Sequence, residues 1–564
     1  MKKHYETHVE DTDKLISVAG PVLDYKSWYE QYRKLMEEQA QRKYGLYTPT
    51  SEGDDDDFPS IPGMIARYSA LGLTNEQMAT NPVWVDKTGN GHDLQMKNFS
   101  WKGMSGVGGY GDENHQTFYK FTLDDYVFIA TPPGVKHMNF TFRVTGLQPG
   151  NKLTLAFFGT TNTVYGTWNK DGIYTVDADI VEAGKPTYFY NGYSTTRGEF
   201  TIEILPLYPG ALVFDGVDDY GVCENFPILT KEKGYTVVAL RQWDQDFLNT
   251  TLTGGLLSTR NYSTGEGVAF EKIESSSKGY WNLGAGGIID FAKSPFTWQT
   301  SKQYNNVGIL KGDKNHGKPL CVGCGLSGGQ QCGRFAIWEL VFLDHDATEE
   351  ELTKIKDYFV KTYPWLFPDQ AWTVVGKTNE DEDRATIANI TGNGNDLVLS
   401  NFGFAEGSGY NEEGEYAGYL VTDGVDDKII SSIFKMGNDW TVIGDWELIN
   451  TGKNDNAGIV KFDSIVIYNY NSMLINIKNG RNILIPDQNT VNAICSDGRI
   501  YSKDWKESIY NEETESTSKN FLTIGYSGNA YTKIAFKNLA IYPTVLSRED
   551  CIKAYNYLQT LKAK

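Results

Sequence analysis

One nine-residue pattern occurs twice in this chain of 564 residues, and any fold must place both copies. The first is Leu212-Val213-Phe214-Asp215-Gly216-Val217-Asp218-Asp219-Tyr220, and the second is Leu420-Val421-Thr422-Asp423-Gly424-Val425-Asp426-Asp427-Lys428. Each is an apolar run that enters Asp-Gly, then Val, then a carboxylate pair. Asp-Gly after an apolar run signals a tight turn, because glycine accepts positive φ and aspartate bonds its own backbone. Aromatic-rich runs follow at 235–243 and 440–446, with the composition of strands.

Other pieces repeat in the same order. Thr74-Asn75-Glu76 returns as Thr378-Asn379-Glu380, and Thr88-Gly-Asn-Gly-His-Asp93 as Thr391-Gly-Asn-Gly-Asn-Asp396. Asn98-Phe99 returns as Asn401-Phe402, and the apolar run 335–342 as 534–541. A helix start follows each run, a capping box at Thr348–Glu351 and a looser version at Ser547–Asp550. This is one domain written twice. Thr88 and Asp215 are 127 residues apart, while Thr391 and Asp423 are 32 apart. The first copy therefore carries about 95 residues that the second lacks, near 108–209, where alternating runs such as 140–144 and 200–204 predict a small antiparallel sandwich. The expected plan is an N-terminal segment 1–58, a first sandwich 59–107 plus 210–363, an inserted sandwich 108–209, and a second sandwich 364–564. Past the N-terminal segment, helices are expected only near the repeat ends, at 348–362 and 547–562.

Net charge is −20, which argues against binding nucleic acid or anionic membranes, since both need a basic footprint. The N-terminus has no secretory signal, and no apolar run approaches the ~18 residues of a transmembrane helix. Six cysteines are too few for a disulfide scaffold, so reduced thiols and cytoplasmic folding are expected.

Residues 26–44 read as a helix in which Trp28, Tyr32, Leu35 and Met36 share one stripe. Gly45 closes it, and an acidic run, Asp54 to Asp57, follows. The plain reading of this helix is that it packs on the first globular domain; cut off by a charged linker, it reads more sharply as an anchor for a partner chain, such as further copies of itself in a dimer or trimer.

Chemistry is sparse. Asp177-Ala-Asp179-Ile-Val-Glu182 is the nearest approach to a glycosidase carboxylate strand, but it starts with Asp, runs into a turn and lies in the insertion. No catalytic residue is expected. His316, Cys321, Cys324 and Cys332 have the residue types of a zinc site, yet the second copy lacks them, so buried structural cysteine is the simpler reading. The acidic turns read as hydrogen-bonded connections. Calcium, which takes about six to eight oxygens, could draw some ligands from them; otherwise no cofactor is expected. Trp168, Tyr193, Trp281 and Tyr468 sit beside asparagine or glycine in loop-like sequence and are candidate glycan contacts, since sugars stack on aromatic faces.

The turn 86–93 and the strand 214–220 resemble the concanavalin A-like lectin/glucanase (laminin-G-like) superfamily. The resemblance implies a mostly β fold of two jelly rolls, and says little about function. The second copy departs mildly, with Asn389 at the place of Asp86 and Thr422 at that of Phe214. The whole arrangement is similar to virion fibre and surface proteins of crAss-like bacteriophages. That implies a non-enzymatic head fibre or decoration protein on the virion surface, made in the host cytoplasm and binding surface or mucus glycans. A tail-associated adhesin and a glycan hydrolase are the alternatives.

Overall fold

The computed structural model describes residues 57–563, apart from internal stretches of which the longest are 260–267, 273–294, 302–318 and 510–521. Residues 57–564 form one compact unit. The expected helix at 26–44, with Trp28, Tyr32, Leu35 and Met36, lies outside the described residues.

The architecture is mostly β, in several face-to-face sheets. In the first copy one sheet is ordered Phe296–Thr300, Thr236–Trp243, Arg334–Leu343, Leu212–Asp215, Gly106–Val107, with Met64–Ser69 also on Arg334–Leu343. Its partner sheet runs Val83–Trp84, Leu94–Lys97, Tyr220–Cys223, Leu320–Val322, Gly254–Ser258 and onward. The second copy repeats the order with Ile534–Tyr542 in the central place, flanked by Thr441–Leu448 and Leu420–Val421. Register is shared as well. Thr236 faces Leu343 as Thr441 faces Tyr542, and a bulge falls at Leu240/Arg241 and at the equivalent Asp445/Trp446.

Burial follows from these positions. Leu94–Lys97 and Leu397–Ser400 alternate buried and exposed, as strands with one solvated face must. Arg334–Leu343 and Ile534–Tyr542 are buried on nearly every residue, because both faces are covered. One face meets the opposing sheet of its own copy, around Phe214, Trp243 and Phe342 in the first and Trp372, Trp446 and Phe536 in the second. The other face enters a core common to both copies. Trp338, Val341, Phe359 and Trp365 there join Tyr501, Trp505, Tyr542 and Leu558.

Strands from 118 to 205 form two further four-stranded sheets around a core of their own, including Phe140, Phe142, Leu155, Phe189 and Ile202.

The helices Glu349–Thr362 and Arg548–Gln559 begin where expected, capped by Thr348 and Ser547. Two short helices were not anticipated, Asn75–Thr80 and Gln245–Leu248. Thr74 and Gln77 close a capping box on the first. In the second copy the equivalent Thr378 bonds Asp381 instead.

One buried ion pair ties the first copy's opening strand to its central one. Arg67 donates to Glu339 through Nε and an NH2 nitrogen at 3.1 and 3.2 Å, and the Tyr363 hydroxyl donates to the same carboxylate at 2.7 Å. Burial pushes Glu339 upward while Arg67 pulls it back. In the second copy the matching positions are Ala371 and Asn538, and neither polar atom of the buried Asn538 side chain has a hydrogen-bond partner among the described residues. Glu339→Gln should therefore destabilise the protein by about 3–5 kcal/mol, since it removes the charge that faces a buried guanidinium. Asn538→Ala should cost at most about 1 kcal/mol. Urea unfolding of the two variants measures the difference.

Candidate functional site

The Asp-Gly-Val-Asp-Asp turns meet the Asn98 or Asn401 loop and Asn75 or Asn379 at one rim of each sandwich, whereas the Thr-Gly-Asn-Gly loops lie at the opposite end of the central strand. Asp215 accepts the N–H of Val217 at 2.7 Å, and Asp219 accepts the N–H of Asp215 at 3.0 Å and the hydroxyl of Ser105 at 3.0 Å. In the second copy Asp423 accepts from Val425 at 2.7 Å, and Asp427 accepts from Asp423 at 2.7 Å and Ser408 at 3.1 Å. Gly216 and Gly424 take φ of 77° and 76°, and a Cβ on either would press on Arg334 or Lys533. The valine at each tip stands exposed.

The loop 98–107 leans on this turn. Asn98 donates to the carbonyl of Asp218 at 3.0 Å, as Asn401 does to Asp426 at 2.9 Å. Asn75 then holds the start of the next strand from both sides: its amide donates to Val107 O and its oxygen accepts Val107 N–H at 2.7 Å. Asn379 does the same to Tyr410, at 2.8 Å in each direction. The Thr-Gly-Asn-Gly loop clasps the opening strand through Asn90 on Ile65 O and Asn393 on Asp369 O. Asp86 accepts from Arg67 N, Thr88 and His92 N. Asn389 keeps the first two of those roles through its oxygen, on Ala371 N and Thr391, and turns its NH2 to the Gly394 carbonyl. The substitution of amide for carboxylate thus follows a switch from acceptor to donor.

The three carboxylates of each acidic turn lie within 4.8 Å of one another. Both oxygens of Asp219 and one of Asp215 already accept hydrogen bonds, from the turn backbone and from Ser105. The exposed Asp218 and one Asp215 oxygen remain, too few for the six to eight oxygens that calcium takes. These residues do not fit calcium by themselves.

Cys324 and Cys332 face each other across antiparallel strands and are joined as a disulfide, which corrects the expectation of reduced thiols for these two, while Cys223, Cys321, Cys495 and Cys551 remain thiols. Zinc cannot use them, because bonded sulfurs supply no thiolate. Burial pushes the neighbouring Cys321 thiol up to about 12, and His316 lies outside the described residues. The zinc set is not assembled.

Trp168 ends the edge strand Thr163–Trp168 and packs edge-on to Phe142 at 4.8 Å and beside Tyr174 at 5.6 Å, so its ring belongs to the core margin. Tyr468 lies on Ile465–Asn469, between two neighbouring strands. Tyr193 and Trp281 lie outside the described residues. Asp177 and Asp179 are on the edge strand Gly172–Asp179, which stops before Glu182, itself outside the described residues.

A different aromatic pair does form. After the strands Leu320–Val322 and Leu522–Ile524, a glycine of positive φ, Gly323 or Gly525, turns the chain into a short hairpin. The first copy's hairpin carries the disulfide, with Tyr220 packed on it. The second carries Tyr526 opposite Tyr531, ring centroids 5.1 Å apart, and Lys428 takes the place of Tyr220. Its ammonium lies 4.9 and 5.7 Å from the two ring centroids, and all three side chains are half-buried. Sequence reasoning passed over this group. The trace was Tyr526-Ser-Gly-Asn-Ala-Tyr531, a turn with a tyrosine on either side.

No protein-family model matches the sequence, and no curated protein matches it. Among solved structures, the Botulinum Neurotoxin Type G receptor binding domain is 12% identical with a TM-score of 0.21. That match covers 33% of this chain and half of that one. Trypanosoma rangeli sialidase in complex with sialic acid is 10% identical over 72% of this chain and 77% of that one, TM-score 0.23. The Botulinum neurotoxin serotype D binding domain is 12% identical over 61% and 89%, TM-score 0.21.

Burial and the neighbouring Asp215 push Asp219 up to about 8, and burial, opposed by the hydrogen bonds from Asp423 and Ser408, pushes Asp427 to about 6. The folded state holds these protons more tightly than the unfolded chain does, where aspartate titrates near 3.8. Their stabilising contribution is complete below pH ~4 and is lost as pH rises, through about 6 for Asp427 and about 8 for Asp219. The melting temperature of the wild-type protein should therefore fall relative to that of Asp219→Asn between about pH 5 and pH 8. Parallel melting curves for the two would show that Asp219 titrates normally.

Proposed function

We propose that this chain is a non-enzymatic display protein whose two jelly rolls of the concanavalin A-like kind bind glycans. The observation that carries this reading is where the motif carboxylates go. In both copies they hold turn backbone and a serine hydroxyl, so the rim is a fixed platform rather than an acid–base site. A hydrolase needs two carboxylates facing one cleft at a set separation. A binding protein needs rigid loops with half-exposed aromatic and polar groups, and the second copy's hairpin supplies such a group.

The wider reading is a capsid-attached head fibre or decoration protein that reaches host-surface or mucus glycans. Under this reading the segment 1–58 docks on capsid or on further copies of the chain, and the inserted sandwich extends the exposed surface. No helix among the described residues is long and apolar enough to cross a membrane. Receptor binding and sialic acid binding belong to the botulinum neurotoxin domain and the Trypanosoma rangeli sialidase themselves.

Two measurements test the proposal. In affinity electrophoresis through gels containing polysaccharide, the full chain should be retarded, with no release of reducing ends over a day. Release of oligosaccharide that disappears in Asp179→Asn would replace binding by hydrolysis. Deletion of residues 1–58 should leave retardation intact while removing the protein from purified particles. Normal incorporation of the truncated chain would overturn the anchoring.

A further inference from the structure

The two copies solve the same structural problem differently at one hairpin, and the difference has a chemical meaning. In the first copy the cross-strand pair at its base is Cys324–Cys332, closed as a disulfide and covered by Tyr220. In the second copy the same pair is Tyr526–Tyr531, and Lys428 stands where Tyr220 does. Covalent closure needs no aromatic surface. The second copy instead places two half-exposed rings, tilted by 40°, next to an ammonium.

Lys428 is otherwise unneutralised. Its sequence neighbour Asp427 spends both oxygens on Asp423 N–H and the Ser408 hydroxyl. Among the described residues no carboxylate forms an ion pair with Lys428. A cation kept beside two phenol rings, in a chain of net charge −20, is a local exception to a field that repels anions.

We propose that Tyr526, Tyr531 and Lys428 form a subsite for an acidic sugar, present on the second copy and absent from the first. The C–H face of a pyranose packs on a phenol ring, the tyrosine hydroxyls exchange hydrogen bonds with ring hydroxyls, and the ammonium takes the sugar carboxylate. Uronic and sialic-type sugars share this chemistry. The assignment rests on the glycan-binding reading above and narrows it to one place and one charge class.

The test uses the full chain in affinity electrophoresis with polygalacturonate, polysialic acid and neutral dextran. Wild-type protein should bind at least one acidic polymer more tightly than dextran, and the preference should shrink as salt rises. Comparison of the two acidic polymers tells uronic from sialic recognition. Lys428→Gln should weaken acidic-polymer binding about tenfold, the loss of one charge-assisted contact, and leave dextran unchanged. The double variant Tyr526→Cys with Tyr531→Cys installs the first copy's own closure, so the hairpin stays stapled while the rings are gone. It should lose the acidic polymer while melting within a few degrees of wild type. Acidic-polymer binding that survives both variants overturns the subsite and leaves the glycan reading standing. Retardation by none of the three polymers overturns both the subsite and the glycan reading on which it rests.

Discussion

Side chains that satisfy backbone at the strand turns hold the rest of this structure in place. A sandwich rim exposes backbone N–H and C=O groups where strands end, and each buried one needs a partner. Here Asn75 and Asn379 bond a strand from both sides, while Asp219 and Asp427 fix a turn and a neighbouring loop together. An apolar residue cannot do this at any size. Core positions are less constrained. Phe214 stacks on Phe335 at 4.7 Å, whereas Thr422 at the same place bonds Ile534 N–H and Thr532 O. The rim keeps its chemistry in both copies, while the core beneath it changes from ring stacking to a hydroxyl clasp.

That asymmetry explains what the sequence disclosed. The repeat, its strand runs and the helix caps could be read because their signals are local: Asp-Gly turns, the Thr348–Glu351 box, alternating burial in Leu397–Ser400. The mostly β character followed from the same signals. What stayed hidden depends on which strands meet. Cys324 and Cys332 look like zinc ligands until the hairpin register sets them face to face. Tyr526 and Tyr531 are unremarkable until Lys428, about 100 residues earlier in the chain, is placed beside them by the pairing of Ile429 with Ile524. The helix Asn75–Thr80 was hidden for another reason: six residues are too few to show a period.

The shared core has a consequence for how the copies can evolve apart. Trp338 and Trp365 on one side and Trp505 and Tyr542 on the other form one apolar layer. The Tyr542 hydroxyl donates to Trp365 O at 3.0 Å, and Lys553 covers the Trp365 ring at 4.3 Å. Large apolar burial of this kind couples the copies in folding, so neither can drift at that face. Divergence is left to side chains outside that layer, such as the disulfide of one copy and the Tyr–Lys–Tyr group of the other, each beside its acidic turn.

The motif carboxylates and amides act as structural clasps. Amide hydrogen exchange at Val107, Asp215, Tyr410 and Asp423 tests this directly, because each N–H there bonds a motif side chain rather than a strand partner. Exchange there should be nearly as slow as in Arg334–Leu343, and equally slow with and without added calcium. Exchange at the rate of exposed loops, slowed only when calcium is added, would contradict it and make the acidic turns metal sites.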